Sequence, residues 1–166
     1  ISIYDYSLKN LILENESMHK IIWLTGQPGS GKTTLGNAIK QNLALNHSNI
    51  QCMLVDGDDL RDIVINKDYS EKGRRNNIQL AINIAKYLQS KDILPIICLV
   101  APYRDLRDSL KKDRDVCEVY LYTDEERGRE HFFASDYAPP VEDFIGLDTG
   151  KLTVKDTIDE ILTFYW

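Results

Sequence analysis

The apolar residues of this chain fall into two rhythms: short unbroken runs, and longer stretches in which they recur every three or four positions. Ile21, Ile22, Trp23 and Leu24 form the first run, the pattern of a strand buried on both faces. Leu35, Ala38, Ile39 and Leu43 follow at helical spacing, which predicts a helix. Residues 51–55 read as a short second strand and residues 66–73 as a polar loop. Residues 74–89 read as a long helix with Ile78, Ala81, Ile82, Ala85 and Leu88 on one face. The run ILPIICLV at 93–100 predicts a central strand; Pro95 is tolerable there because the first strand residues can forgo a donor. A charged helix over 105–112 and a strand over 116–122 come next. Thr123 then caps a short helix, with Glu126 at capping-box spacing. Residues 128–146 are aromatic, proline-bearing and without period, the mark of a functional or mobile loop. Thr153 and Asp156 open a last helix that runs to Tyr165. Strands alternating with helices predict an α/β fold, a three-layer α/β/α sandwich around a mostly parallel central sheet.

Residues 1–17 precede the first core strand as an N-terminal extension, and residues 18–166 form the domain proper. Ile3, Tyr4, Leu8, Leu11 and Ile12 make that extension amphipathic. It reads as packing on its own domain, with a homodimer contact as the alternative.

Between the first strand and the first helix stands Gly26-Gln27-Pro28-Gly29-Ser30-Gly31-Lys32-Thr33. This is a full match to the G-x-x-x-x-G-K-S/T phosphate-binding loop, in the strand–loop–helix order the motif requires. Its glycines let the backbone approach an anion with no Cβ in the way. Successive N–H groups then face the phosphates at the positive end of a helix. Lys32 has the length to reach β- and γ-phosphates, and the Thr33 hydroxyl suits Mg²⁺. With Thr34, these positions are the expected ATP-binding set.

The chain has 166 residues, enough for one domain with a substantial core. Its net charge of −6 argues against a general nucleic-acid or anionic-membrane surface. A local cluster of Arg and Lys still suits a small anionic ligand. Cys52, Cys98 and Cys117 are widely spaced, odd in number and set in apolar runs. They read as reduced, buried thiols, and a structural zinc site is not expected. No apolar run reaches transmembrane length and no signal peptide is visible, so the expected compartment is the cytoplasm.

A phosphate loop alone does not separate a kinase from a GTPase, an ATPase or a motor; its neighbours do. Those neighbours are Val55-Asp56-Gly57-Asp58-Asp59-Leu60-Arg61, the Y-S-x-x-x-R-x-x-N-I run from Tyr69 to Ile78, Ala101-Pro102-Tyr103-Arg104, and Leu147-Asp148-Thr149. In this order they resemble adenylyl-sulfate kinases, P-loop NTPases that phosphorylate the 3′-hydroxyl of adenosine 5′-phosphosulfate. The resemblance runs from about residue 20 to the C-terminus and weakens between residues 123 and 146.

The resemblance implies that Asp56 is the carboxylate beside the attacking hydroxyl, catalytic together with Lys32, and that Thr33 and Asp56 hold the magnesium. An ordinary aspartate is a weak base, so its contribution is chiefly positioning and charge. Read from the residues alone, Asp56 also suits a helix N-cap, and Asp58 suits either a cap or a substrate contact. Arg61, Arg74 and Asn77 match family positions that hold the substrate's phosphate–sulfate group and sugar; the guanidinium fork suits paired anionic oxygens. Tyr69 stands at the family's Phe position, where an aromatic face stacks on the substrate base, an interaction that accepts any base. Pro102, Tyr103 and Arg104 match the substrate edge. Leu147, Asp148 and Thr149 resemble the loop beside the ATP adenine.

The chain departs from the pattern in three places. Ala101 replaces the Ser that usually precedes P-Y-R, so no phosphoserine forms there and direct in-line transfer is expected. Gln79 and Leu80 replace two basic residues. The family's lid, with K-G-L-Y and F-T-G-I-D segments, gives way to the shorter Arg127-Gly128-Arg129-Glu130-His131-Phe132-Phe133 and Asp136-Tyr137-Ala138-Pro139-Pro140. Phe132 or Phe133 suits a second stacking ring, and Arg127 or Arg129 an ATP phosphate; His131 reads as structural or solvent-facing. The expected function is a kinase that carries the γ-phosphoryl of Mg·ATP to adenosine 5′-phosphosulfate, with a small nucleotide as its partner and neither nucleic acid nor membrane. One alternative is a different acceptor, a cytidine diphosphate-type (phosphoramidate) intermediate of surface-polysaccharide modification. Another, of a different class, is a nucleotide-dependent switch, against which stands the absence of an N-K-x-D guanine signature.

Overall fold

The strand read from the first apolar run, β1 (Ile21–Thr25), has all five residues buried, and the sheet is built outward from it. In the computed structural model, which describes residues 19–166, β1 lies between β3 (Leu94–Cys98) and β4 (Val116–Tyr122). β2 (Cys52–Asp56) pairs outside β3 and β5 (Phe144–Asp148) outside β4. The order β2-β3-β1-β4-β5 is parallel at every pairing.

Alternate residues of β1 point to opposite faces, as the pleat requires. Ile22 and Leu24 join Leu35, Ile39 and Leu43 of α1 (Lys32–Asn46) and Ile158 and Ile161 of α5 (Val154–Tyr165). Ile21 and Trp23 join Leu60 of α2 (Gly57–Val64), Ile78 and Ile82 of α3 (Glu71–Gln89) and Leu110 of α4 (Arg104–Asp113). Each such fully buried aliphatic side chain stabilises the fold by roughly 1.5–3 kcal/mol. The result is a three-layer α/β/α sandwich. The chain leaves β1 toward one side of the sheet and, after β3, crosses to the other. Such a reversal opens a crevice at the carboxyl ends of the strands, where open α/β sheets hold their ligands.

Several expected boundaries move, each for a local reason. The long helix starts at Glu71, because Ser70 caps it by accepting from Gly73 N at 3.2 Å. β3 stops at Cys98: Val100 O accepts from the Thr25 hydroxyl and Ala101 turns to a positive φ of 43°, which takes the chain out of the sheet. No helix follows Thr123, whose hydroxyl accepts instead from Glu125 N two residues on, and Gly128 (φ 73°) breaks the path. A single 3₁₀ turn, Glu130–Phe132, stands there. The end of the irregular segment is the edge strand β5, absent from the sequence reading. Cys98 and Cys117 are buried but Cys52 is only half-buried, and all three are free thiols. The N-terminal extension, with the packing and homodimer contact suggested for it, lies outside the described residues. Among those residues no helix is long and apolar enough to cross a membrane.

Candidate active site

The loop from β1 to α1 is shaped by two glycines. At Gly26 an added Cβ would stand 2.2 Å from Leu121 O, and at Gly31, which opens α1, φ is 98°. Both positions exclude a side chain, one by contact and one by backbone conformation. Lys32 folds back over the loop, donating to Gly26 O at 2.9 Å and Gln27 O at 2.8 Å. Burial brings its pKa down to about 8, opposed by the nearby Cys98, Asp56 and Asp58.

Pro28, Gly29, Gly31, Lys32, Thr33 and Thr34 line one end of a cleft of about 1000 Å³. Gly26 and Ser30 are buried beneath it. The side chain of Gln27 turns away to Ala134. On the cleft wall, Thr33 Oγ1 donates to Asp56 Oδ2 at 2.7 Å, while Asp56 Oδ1 accepts from Asp58 N at 3.0 Å. Asp56 is thus the N-cap of α2 and also lines the cleft. A hydroxyl and a carboxylate side by side are hard oxygen donors of the kind Mg²⁺ takes, one or two from protein and the rest from phosphate and water. No cluster of three or more His, Cys, Asp or Glu that could hold a metal occurs among the described residues.

Further along the same cleft lie Asp58, Arg61, Tyr69, Arg74, Asn77 and Pro102. Tyr69 is 69 % exposed, and the Arg61 guanidinium sits 4.2 Å from its ring centroid. Arg61 also donates to Asn66 O (3.2 Å) and Asp68 O (3.0 Å), so it braces the loop that carries Tyr69. Arg74 makes a two-pronged pair with Asp136, at 3.2 and 3.0 Å. Asn77 is 5 % exposed; its Nδ2 donates to Gly57 O at 3.3 Å, and its Oδ1 has no partner. A buried acceptor left unpaired is costly, and an unpaired one beside a cleft calls for an explanation.

Besides Gly26, Gln27 and Ser30, five more expected contacts do not line the cleft. Tyr103 is 7 % exposed and packs under Arg75 and Arg74, at 4.2 and 5.5 Å from its ring. Arg104 Nε donates to Pro139 O at 2.8 Å. Tyr103 is the N-cap of α4 and Arg104 its first residue, so the helix start sets both side chains. Leu147 is in the core, Asp148 pairs with Lys151 at 3.1 Å, and the Thr149 hydroxyl donates to Ser30 O at 3.0 Å. Of these three, Thr149 ties directly to the phosphate loop.

Arg127, Arg129, Phe132, Phe133 and Ala134 complete the lining. Arg127 is committed to scaffolding, donating to Gly29 O (3.0 Å) and Thr149 O (2.9 Å) and pairing with Glu125 (2.9 Å). Arg129 lays its stem against Gly29 and has no ion pair among the described residues. The sequence offers both arginines without separating them; only the partners do. Asp136 had no signal at all, since its significance lies in a contact 62 positions away.

Residues 18–149 match the family model described as Adenylylsulphate kinase. An adenylyl-sulfate kinase of Prochlorococcus marinus is 29% identical over 91% of this chain and 86% of its own length. A cytidine diphosphoramidate kinase of Campylobacter jejuni is also 29% identical, over 77% of each chain. The fold matches that of the Mycobacterium tuberculosis APS kinase in complex with AMPPNP and APS, with a TM-score of 0.78 at 20% identity, covering 89% of this chain and 97% of that one.

Proposed function

The chain belongs to the adenylylsulphate kinase family, and from that premise we infer that it carries the γ-phosphoryl of ATP to the 3′-hydroxyl of adenosine 5′-phosphosulfate. The observation that carries this reading is one continuous cleft lined both by the phosphate loop and by Tyr69, Arg74 and Asn77. A nucleotide switch has no use for that second group.

Each residue then has a task. Lys32 supplies the positive charge for the β- and γ-phosphates, and the loop carbonyls hold its ammonium in place. Thr33 and Asp56 hold Mg²⁺, which when bound neutralises charge on the phosphates. The hydrogen bonds from Asp58 N and from the Thr33 hydroxyl orient both carboxylate oxygens of Asp56, and each oxygen keeps a further lone pair with which to accept from the acceptor hydroxyl. Arg129, beside Gly29 and without an ion pair among the described residues, balances charge on the transferring group. The exposed ring of Tyr69, braced by Arg61, takes the acceptor base, and Arg74 takes its anionic group. Asn77 Oδ1 accepts from an acceptor hydroxyl, which gives the buried oxygen its missing partner. The ATP adenine lies by Leu147, Asp148 and Thr149, a reading supported by the bond from Thr149 to Ser30. Ala101 offers no hydroxyl, so transfer is direct and in line. Catalysis of this kind is positioning and fixed charge rather than covalent chemistry.

The test is phosphorus NMR of adenosine 5′-phosphosulfate incubated with protein and Mg·ATP. The expected product carries a new phosphomonoester on the 3′-oxygen. The equal identity to the cytidine diphosphoramidate kinase, with the shortened segment after β4, favours a second reading in which a cytidine diphosphate-type acceptor is used. Transfer to that acceptor alone would select it. Hydrolysis of ATP indifferent to every acceptor would contradict both.

A further inference from the structure

Residues 134–142 form a strap across the carboxyl edge of the sheet, and its ties come from far along the chain. Gln27, a variable position of the phosphate loop, makes the most specific of them. Its Nε2 donates to Ala134 O at 3.0 Å and its Oε1 accepts from Ala134 N at 2.9 Å. This is the two-bond exchange by which opposite residues of antiparallel strands hold each other. The carbonyl of Gln27 meanwhile accepts from Lys32 Nζ at 2.8 Å and Ser30 N at 3.1 Å. One residue thus touches the phosphate-binding lysine with its backbone and the strap with its side chain.

Two positions earlier, the Thr25 and Tyr137 hydroxyls meet at 2.9 Å, so the strap is seated on the exit of β1 at two points. What the strap and the residue just before it carry matters. Phe133 and Ala134 line the cleft, and Asp136 holds both prongs of Arg74. Gln27, Ala134, Asp136 and Arg74 thus form a contiguous path of chain and hydrogen bonds from the loop to the acceptor-side guanidinium.

We propose that Gln27 is a positioning residue that couples the two ends of the cleft, so that phosphate on the loop sets the place of Phe133 and Arg74 at the acceptor end. This rests on the reading above that ATP and acceptor occupy those two ends. A clasp with a purely structural role would protect Ala134 equally with and without nucleotide. Coupling makes that protection depend on nucleotide.

The experiment is residue-resolved amide hydrogen exchange on the whole protein, with and without Mg²⁺ and a non-hydrolysable ATP analogue, no acceptor being present. The analogue is expected to slow exchange at Gly29 and Gly31, and at Ala134 by about tenfold. In Gln27→Met the loop still responds and Ala134 does not. In Gln27→Glu, which keeps the acceptor for Ala134 N and loses the donor, the response at Ala134 is intermediate. Steady-state kinetics gives an independent readout: Gln27→Met raises the acceptor KM about tenfold while kcat falls by less than about threefold. The proposal is overturned if the loop responds in the wild-type protein and Ala134 does not, or if Gln27→Met keeps a nucleotide-dependent Ala134. A wild-type loop that ignores the analogue would overturn the ATP-binding reading itself, and the inference with it.

Discussion

Lys32 sits where burial and function pull against each other. Burial brings its pKa down from 10.5 to about 8, and only the ammonium form attracts phosphate. Binding of ATP to the free protein is therefore expected to be flat below about pH 8 and to weaken progressively above it, which titration calorimetry across pH 6.5–9.5 checks. The stability sign is opposite. Between about 8 and 10.5 the unfolded chain binds the extra proton, so this group's contribution to stability improves as pH rises through that window. Asp56 is held at both oxygens, one by Asp58 N and one by the Thr33 hydroxyl. Asp56→Asn is expected to lower kcat by about 10²-fold or more while ATP affinity changes far less; near-normal turnover would remove Asp56 from the reaction. The place of Asp56, capping α2 at the cleft, was legible because a carboxylate after a strand suits a cap at the carboxyl edge of the sheet. The task of Gln27 was not, because the motif leaves that position open and its partner is 107 residues away.

At the scale of elements, the strap stands on a buried arginine. Arg107 of α4 is fully buried; its Nε pairs with Glu118 of β4 at 2.7 Å, and its two terminal nitrogens donate to Ala101 O and Ala138 O. Four elements of the edge thus meet at one guanidinium. Arg107→Ala leaves Glu118 buried with reduced compensation, at a cost of about 3 kcal/mol. The melting temperature should fall by roughly 10 °C, as calorimetry would read, and an unchanged melting temperature would show that the pair is not structural. The charged pattern over 105–112 revealed α4 but gave Arg107 no distinction from its neighbours. β5 escaped for a related reason: Phe144–Asp148 contains Gly146, follows two prolines and buries only Leu147. An edge strand with one buried residue has no period to read.

The whole molecule was the most legible level. Runs of apolar residues separated by helical stretches predict a parallel sandwich, and the sheet order β2-β3-β1-β4-β5 then brings the phosphate loop, Asp56 and the residues after β3 to one edge. What the alternation does not carry is how the irregular segment closes that edge, since its ties to Gln27, Thr25, Arg74 and Arg107 are all long-range. The central claim is that this edge holds a phosphoryl donor and a hydroxyl acceptor at once. It is tested most directly by initial rates of ADP release from Mg·ATP with adenosine 5′-phosphosulfate, set beside its 3′-deoxy analogue. The account predicts a saturable, acceptor-dependent rate with the first and none above background with the second; equal rates with both, or with neither added, would contradict it.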